Sequence, residues 1–142
     1  MKKFLTMLLA AVILVSFAGC NTKAPINKGT TTTDKKFTIA TVPKLTSIAW
    51  FQRMEEGVKR YAKDSGMDAY YTGPDKGDAA LQAQVIEDLI AKKVDAICVV
   101  PFSTEALEPV LKKARDAGIL VITHEAAGMT NIDYDIEAFN NE

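Results

Sequence analysis

The 142 residues carry 17 lysines and arginines against 18 aspartates and glutamates, a formal net charge of -1, and 48% of them are hydrophobic. A near-neutral chain without a basic block gives no electrostatic case for nucleic acid, and this apolar content sets it apart from disordered and fibrous sequences. The length has room for one domain with one core once a targeting segment is set aside.

Taken in chain order, residues 1–20 open on Lys2 and Lys3, continue as an apolar body from Leu5 to Val15, and close on Ala18, Gly19 and Cys20. That layout predicts a secretory signal, too short before its polar flank to read as a membrane span. Phe17-Ala18-Gly19-Cys20 resembles the lipobox of bacterial lipoproteins, with Phe17 where an aliphatic residue is usual. The resemblance implies cleavage before Cys20 and lipidation of its thiol. Residues 21–36 are polar, with Pro25, Gly29 and the successive threonines Thr30 to Thr33, and predict a flexible tether.

The fold is predicted to begin at Phe37. Phe37 to Val42 is a short apolar strand ended by Pro43, which cannot donate to a ladder. Ile48, Phe51, Met54, Val58 and Tyr61 recur at helical spacing and predict an amphipathic helix stopped at Gly66. Asp68 to Thr72 is a second strand. Asp78 caps a second helix with the stripe Leu81, Val85, Ile86, Leu89 and Ile90. Val94 to Val100 is a third strand, closed by Pro101, and Cys98 within it reads as a small buried hydrophobe. Ser103 caps a third helix in which Pro109 predicts a separate first turn over Ser103 to Leu107. Ile119 to Thr123 and Ile132 to Ile136 are the fourth and fifth strands. Alternating strands and helices predict an α/β domain, a three-layer doubly wound and mostly parallel sheet.

Such sheets take ligands beyond the carboxyl ends of their strands, which selects the loops 43–50, 72–77, 101–103 and 123–128. No GxGxxG follows the first strand and no GxxxxGK[ST] occurs, so dinucleotide and P-loop chemistry are not indicated. His124 and Glu125, with Asp133 and Asp135 farther on, are weak as a metal set, and Ser47 and Ser103 lack a nucleophile motif. No enzyme chemistry, metal or cofactor is expected. The loops suit a polyhydroxylated molecule instead: Trp50, Phe51 and Phe102 offer aromatic faces, while Lys44, His124 and Glu125 offer polar partners to hydroxyls. Trp50 lies off the helical stripe that holds Phe51 and is the better contact of the two.

Phe37 to Phe51, Tyr70-Tyr71-Thr72-Gly73-Pro74, Val94 to Ile97, Ala106 to Ala114 and Gly118 to Thr123 together resemble the sugar-binding proteins of bacterial ABC importers, of the ribose, rhamnose and autoinducer-binding type. The resemblance runs from Phe37 to Glu142. It implies one lobe, the N-terminal one, of a two-lobed periplasmic binding protein, with Lys44 as a ligand contact, Trp50 and Phe51 as the paired aromatics, and Glu125 on a ligand carboxylate position. His124 stands where an aromatic is usual and Ala127 where a second aspartate is usual. Relatives of this type are about twice as long, so the chain is expected to be a fragment without the second lobe, binding weakly on its own.

The implied role is an exported solute-binding lipoprotein, anchored through Cys20 in the periplasm or at the outer face of the cytoplasmic membrane. It would deliver a sugar or sugar-like molecule to an ABC permease. A sugar sensor serving a chemoreceptor or histidine kinase is the alternative. An enzyme on a flavodoxin-like scaffold lacks its catalytic constellation, and a sugar-responsive repressor would need a helix-turn-helix where the signal stands.

Overall fold

In the computed structural model the described residues are 35–136. The signal, the Cys20 lipobox and most of the tether lie outside them, as do residues 137–142. Strand β1 (Thr38–Val42) is an interior strand of the sheet, hydrogen-bonded to β2 (Asp68–Tyr71) on one side and to β3 (Ala96–Val99), the central strand, on the other. Strands β4 (Leu120–His124) and β5 (Tyr134–Ile136) extend the sheet in the order β2-β1-β3-β4-β5, and all these pairings are parallel. The doubly wound α/β class expected from the sequence is the one observed.

Parallel neighbours need crossovers, and helices supply them. Helix α1 (Ala49–Ser65) joins β1 to β2, α2 (Ala79–Lys92) joins β2 to β3, and α3 (Thr104–Asp116) joins β3 to β4. Local chemistry sets their ends. Gly66 takes φ 72° and returns its N–H to the Ala62 carbonyl, a left-handed cap that glycine adopts at no steric cost. The Asp78 carboxylate accepts from the N–H groups of Ala80 and Leu81, and the Ser103 hydroxyl from Ala106.

Pro109 departs from expectation. Helix α3 runs unbroken from Thr104 to Asp116 with the proline inside. The proline withholds one helical bond, the one its missing N–H would give the Glu105 carbonyl, and the helix continues around that gap, with Leu107 N–H closing the first turn on Ser103 at 3.3 Å and Leu107, Val110, Leu111 and Ala114 buried in the core.

Alternate residues of each strand point to opposite faces. On one face Ala40, Val42, Ile97, Val99 and Val121 are completely shielded from solvent. They pack with Ile86 and Leu89 of α2 and with Leu107, Leu111 and Ala114 of α3. On the other, α1 alone lies over the sheet among the described residues. A groove of about 530 Å³ opens there, lined by Met54, Val58 and Tyr61 of α1 and by Cys98, Leu120 and Ile122 of the sheet. The predicted α1 stripe is therefore only partly core: Phe51 is buried, while Ile48 and Tyr61 are exposed, with no second helix beside α1 on this face among the described residues. Cys98, expected to be fully buried, is partly accessible for the same reason.

Candidate functional site

The loop after β1 is tied to each of the other three loops at the carboxyl edge. Pro43 is buried, and Gly73 packs so closely on it that a Cβ there would stand 2.7 Å from Pro43 Cδ. A glycine is required by that approach. Thr46 N–H donates to the Pro74 carbonyl at 2.9 Å, fixing the first loop to the second. Toward the third loop, the Gln82 amide donates to the carbonyls of Pro43 (2.9 Å) and Val100 (2.8 Å) and accepts from Phe102 N–H (2.8 Å). Toward the fourth, Lys44 Nζ reaches Glu125 Oε2 at 2.9 Å, both side chains about one-third exposed.

Glu125 follows the last residue of β4 with φ 57°, a left-handed backbone that a non-glycine residue adopts at some cost. That turn aims its carboxylate back toward Lys44. The loop beyond it is held from below: Glu108 of α3 accepts from Thr130 N–H and hydroxyl and from the backbone and side-chain N–H groups of Asn131. The Thr130 N–H first, and the Asn131 bonds with it, keep the Glu108 carboxyl below the ordinary glutamate range.

The sequence-selected residues divide clearly. Lys44 and Glu125 are brought together. Trp50 and Phe102 present large exposed surfaces, at 56% and 49% of their full areas, and the Phe102 ring lies on Gly77, where a Cβ would meet it at 2.6 Å. Phe51 is 4% exposed and packs inward, so in this structure it offers no face to the loops. His124 is the last residue of β4 rather than a loop residue. Its Nδ1 is buried and has no hydrogen-bond partner among the described residues.

Asp133 and Asp135, the carboxylates that follow His124 in sequence, have other partners. Asp133 accepts from Val121 N–H at 2.8 Å and pairs with Arg115 at 2.9 Å, and Asp135 accepts from the Thr123 hydroxyl at 2.7 Å. Among the described residues there is no group of three or more metal-ligating side chains. The edge thus combines a partly shielded ion pair, able to give and take hydrogen bonds, with two exposed aromatic rings. That combination suits a small molecule with hydroxyl groups on one side and C–H surface on the other.

Gln82 and Glu108 were not singled out from the sequence. Gln82 carries a signal: it stands in phase with Ile86 and Leu89, at the i, i+4, i+7 positions of the buried stripe, one residue after the Leu81 that hydropathy favours. Leu81 is in fact exposed and Gln82 completely buried. Glu108 had none, because its partners lie 22 and 23 residues downstream.

Residues 39–142 match the model of the periplasmic binding protein domain family. Among curated proteins, a D-ribose/D-allose-binding protein of Pseudomonas aeruginosa is 36% identical over 118 residues, which cover 81% of this chain and 36% of that protein. The chain spans about a third of the length of the curated relatives it matches. Among solved structures, an ABC transporter solute-binding protein from Agrobacterium vitis bound with α-D-tagatopyranose superposes with a TM-score of 0.62 at 34% identity, covering 70% of this chain and 37% of that one. The LsrB protein from Clostridium saccharobutylicum in complex with AI-2 gives a TM-score of 0.60 at 32% identity, covering 62% and 27%.

Proposed function

The chain belongs to the periplasmic binding protein family, and on that premise we propose that it is one lobe of an exported receptor. In this reading the receptor captures a sugar or sugar-like molecule at the edge formed by Lys44, Trp50, Phe102, His124 and Glu125, and hands it to an ABC permease. The observation that carries the proposal is the Lys44–Glu125 pair, which joins the first and fourth loops at 2.9 Å on the sheet edge from which α1, with exposed Trp50, and the loop with exposed Phe102 also start. A partly exposed pair of this kind contributes only about 0–1 kcal/mol to stability, so hydroxyl groups can insert into it at small cost. Once covered by ligand, the same charges make stronger bonds than neutral partners would. Relatives whose names specify ribose, allose or tagatose support the ligand class.

The experiment is calorimetric titration of the protein encoded by the complete reading frame, against a panel of pentoses, hexoses and deoxysugars. Binding of at least one is expected, and silence across the panel would remove the receptor reading. Lys44→Ala and Glu125→Ala should each weaken that binding while leaving the thermal transition cooperative. Attachment to the membrane through Cys20 belongs to the same proposal. Incorporation of a fatty-acid analogue should disappear in Cys20→Ala, and persistence of the label would sink the anchor.

A further inference from the structure

The exits of β1 and β3 face a hydrogen-bonding problem that the backbone does not solve. On the β2 side of β1 the ladder runs from Asp68 N–H to the Phe37 carbonyl and from Thr72 N–H to the Thr41 carbonyl. The next donor in that register, for the Pro43 carbonyl, is residue 74, a proline with no N–H. On the β3 side, Val100 N–H still reaches the Val42 carbonyl at 2.9 Å, after which Pro101 interrupts the strand. A buried carbonyl without a donor is costly. One side chain meets the need at both exits. The amide nitrogen of Gln82 gives one N–H to Pro43 and one to Val100, and its oxygen takes Phe102 N–H. The side chain is completely buried with donors and acceptor all engaged.

The three bonds fall immediately beside groups assigned to ligand contact: Pro43 precedes Lys44, and the accepted N–H belongs to Phe102 itself. We propose that Gln82 is a positioning residue for ligand capture, a buried amide that welds the exit of β1 to the exit of β3 and so fixes the ammonium of Lys44 relative to the ring of Phe102. It touches no ligand. The inference rests on the sugar-receptor reading for its consequence, although not for its geometry. No other common side chain of this length can replace it: a glutamate keeps the acceptor but loses both donors, and a methionine keeps the volume but leaves two carbonyls and one N–H unpaired.

The test compares wild type, Gln82→Met and Gln82→Glu in the complete protein, with Leu111→Ala as a control that destabilises the same lobe away from the loops. Sugar affinity is measured by calorimetry on folded protein, and amide exchange is followed residue by residue without ligand. For Gln82→Met, exchange should quicken at Phe102 and in the 44–47 loop together while β3 and β4 stay protected, and affinity should fall on the order of tenfold or more, as loss of pre-organisation does. Gln82→Glu should also bind weakly at neutral pH and regain part of its affinity on acidification, because a protonated carboxyl recovers one O–H donor. Leu111→Ala should lower the melting temperature and leave affinity intact. Wild-type affinity in folded Gln82→Met, or unaltered exchange at Phe102, overturns the proposal. If wild type itself binds no sugar, the receptor reading falls and the exchange arm alone decides the role of Gln82.

Discussion

The two faces of the sheet are built from the same strands and reach opposite outcomes. On the face under α2 and α3, alternate residues from Ala40 to Val121 are sealed, and even the polar Gln82 among them has every bond made. On the face under α1, the residues between them in sequence, Cys98 and Ile122 included, line an open groove, and Leu120 is 41% exposed. A buried phenol there, Tyr71, has no hydrogen-bond partner among the described residues, and burial followed by the nearby Glu55 charge pushes it up to about 12. The difference is one of helix number rather than strand composition, since both sets are apolar and β-prone. Continuous hydrophobic strands announce that both faces want cover, and among the described residues one face has two helices to the other's one.

If the sealed face carries the stability, breaking it should cost most. Leu111→Ala removes a fully buried side chain and is expected to destabilise by about 2–5 kcal/mol, read by urea denaturation; a loss no larger than that of a surface change would mean the two faces are energetically alike. Next comes the edge of that face. Glu108→Ala should cost about 1–3 kcal/mol, because four donors in the 130–131 loop lose a charged acceptor. Its pH dependence has a definite sign. The folded carboxyl lies below its ordinary value of 4.5, so its contribution is complete above that value and disappears as pH falls below it. Wild type and variant should therefore converge in acid, and a constant difference across the acid range would contradict the assignment. Asp95 and Asp133 are lowered in the same direction, the first chiefly by its Lys35 hydrogen bond and the second by Val121 N–H, and they remain in both proteins, so the difference isolates Glu108.

Smaller effects probe the open face. Cys98 is partly covered and its thiol is pushed up by burial, so alkylation in the folded protein should be slow but measurable and should accelerate in denaturant. Peptide mapping reads this thiol separately from Cys20, and complete protection of Cys98 would show the groove to be closed in solution. Leu120→Ala should change stability within about 0.5 kcal/mol, as exposed substitutions do. A core-sized loss would place Leu120 under cover.

What could be read from the sequence was local. Pro43, Gly66, Asp78, Pro101 and Ser103 each act on their own turn of backbone, and each element ended within about two residues of where they put it. Lys44 and Glu125 could be chosen as polar loop residues, but not as partners, since nothing in a sequence pairs positions 81 apart. Pro109 misled because the loss of one helical bond is outweighed by the packing of Leu107, Val110, Leu111 and Ala114 in the core, which a local reading does not weigh. Phe51 could be seen to lie on the stripe, and only packing decides that it points inward while its neighbour Trp50 does not. The uneven cover of the sheet is still less local, being a property of which helices fall on which side.

The 81-residue separation has a kinetic side. Closing so long a loop before the strands exist is entropically expensive, and the ion pair cannot form until β1, β3 and β4 are already side by side. The loop after β1 is therefore first of the four to be synthesised and last to be completed. A refolding experiment that follows the loop and the sheet separately should find the sheet assembled while the Lys44–Glu125 edge is still loose.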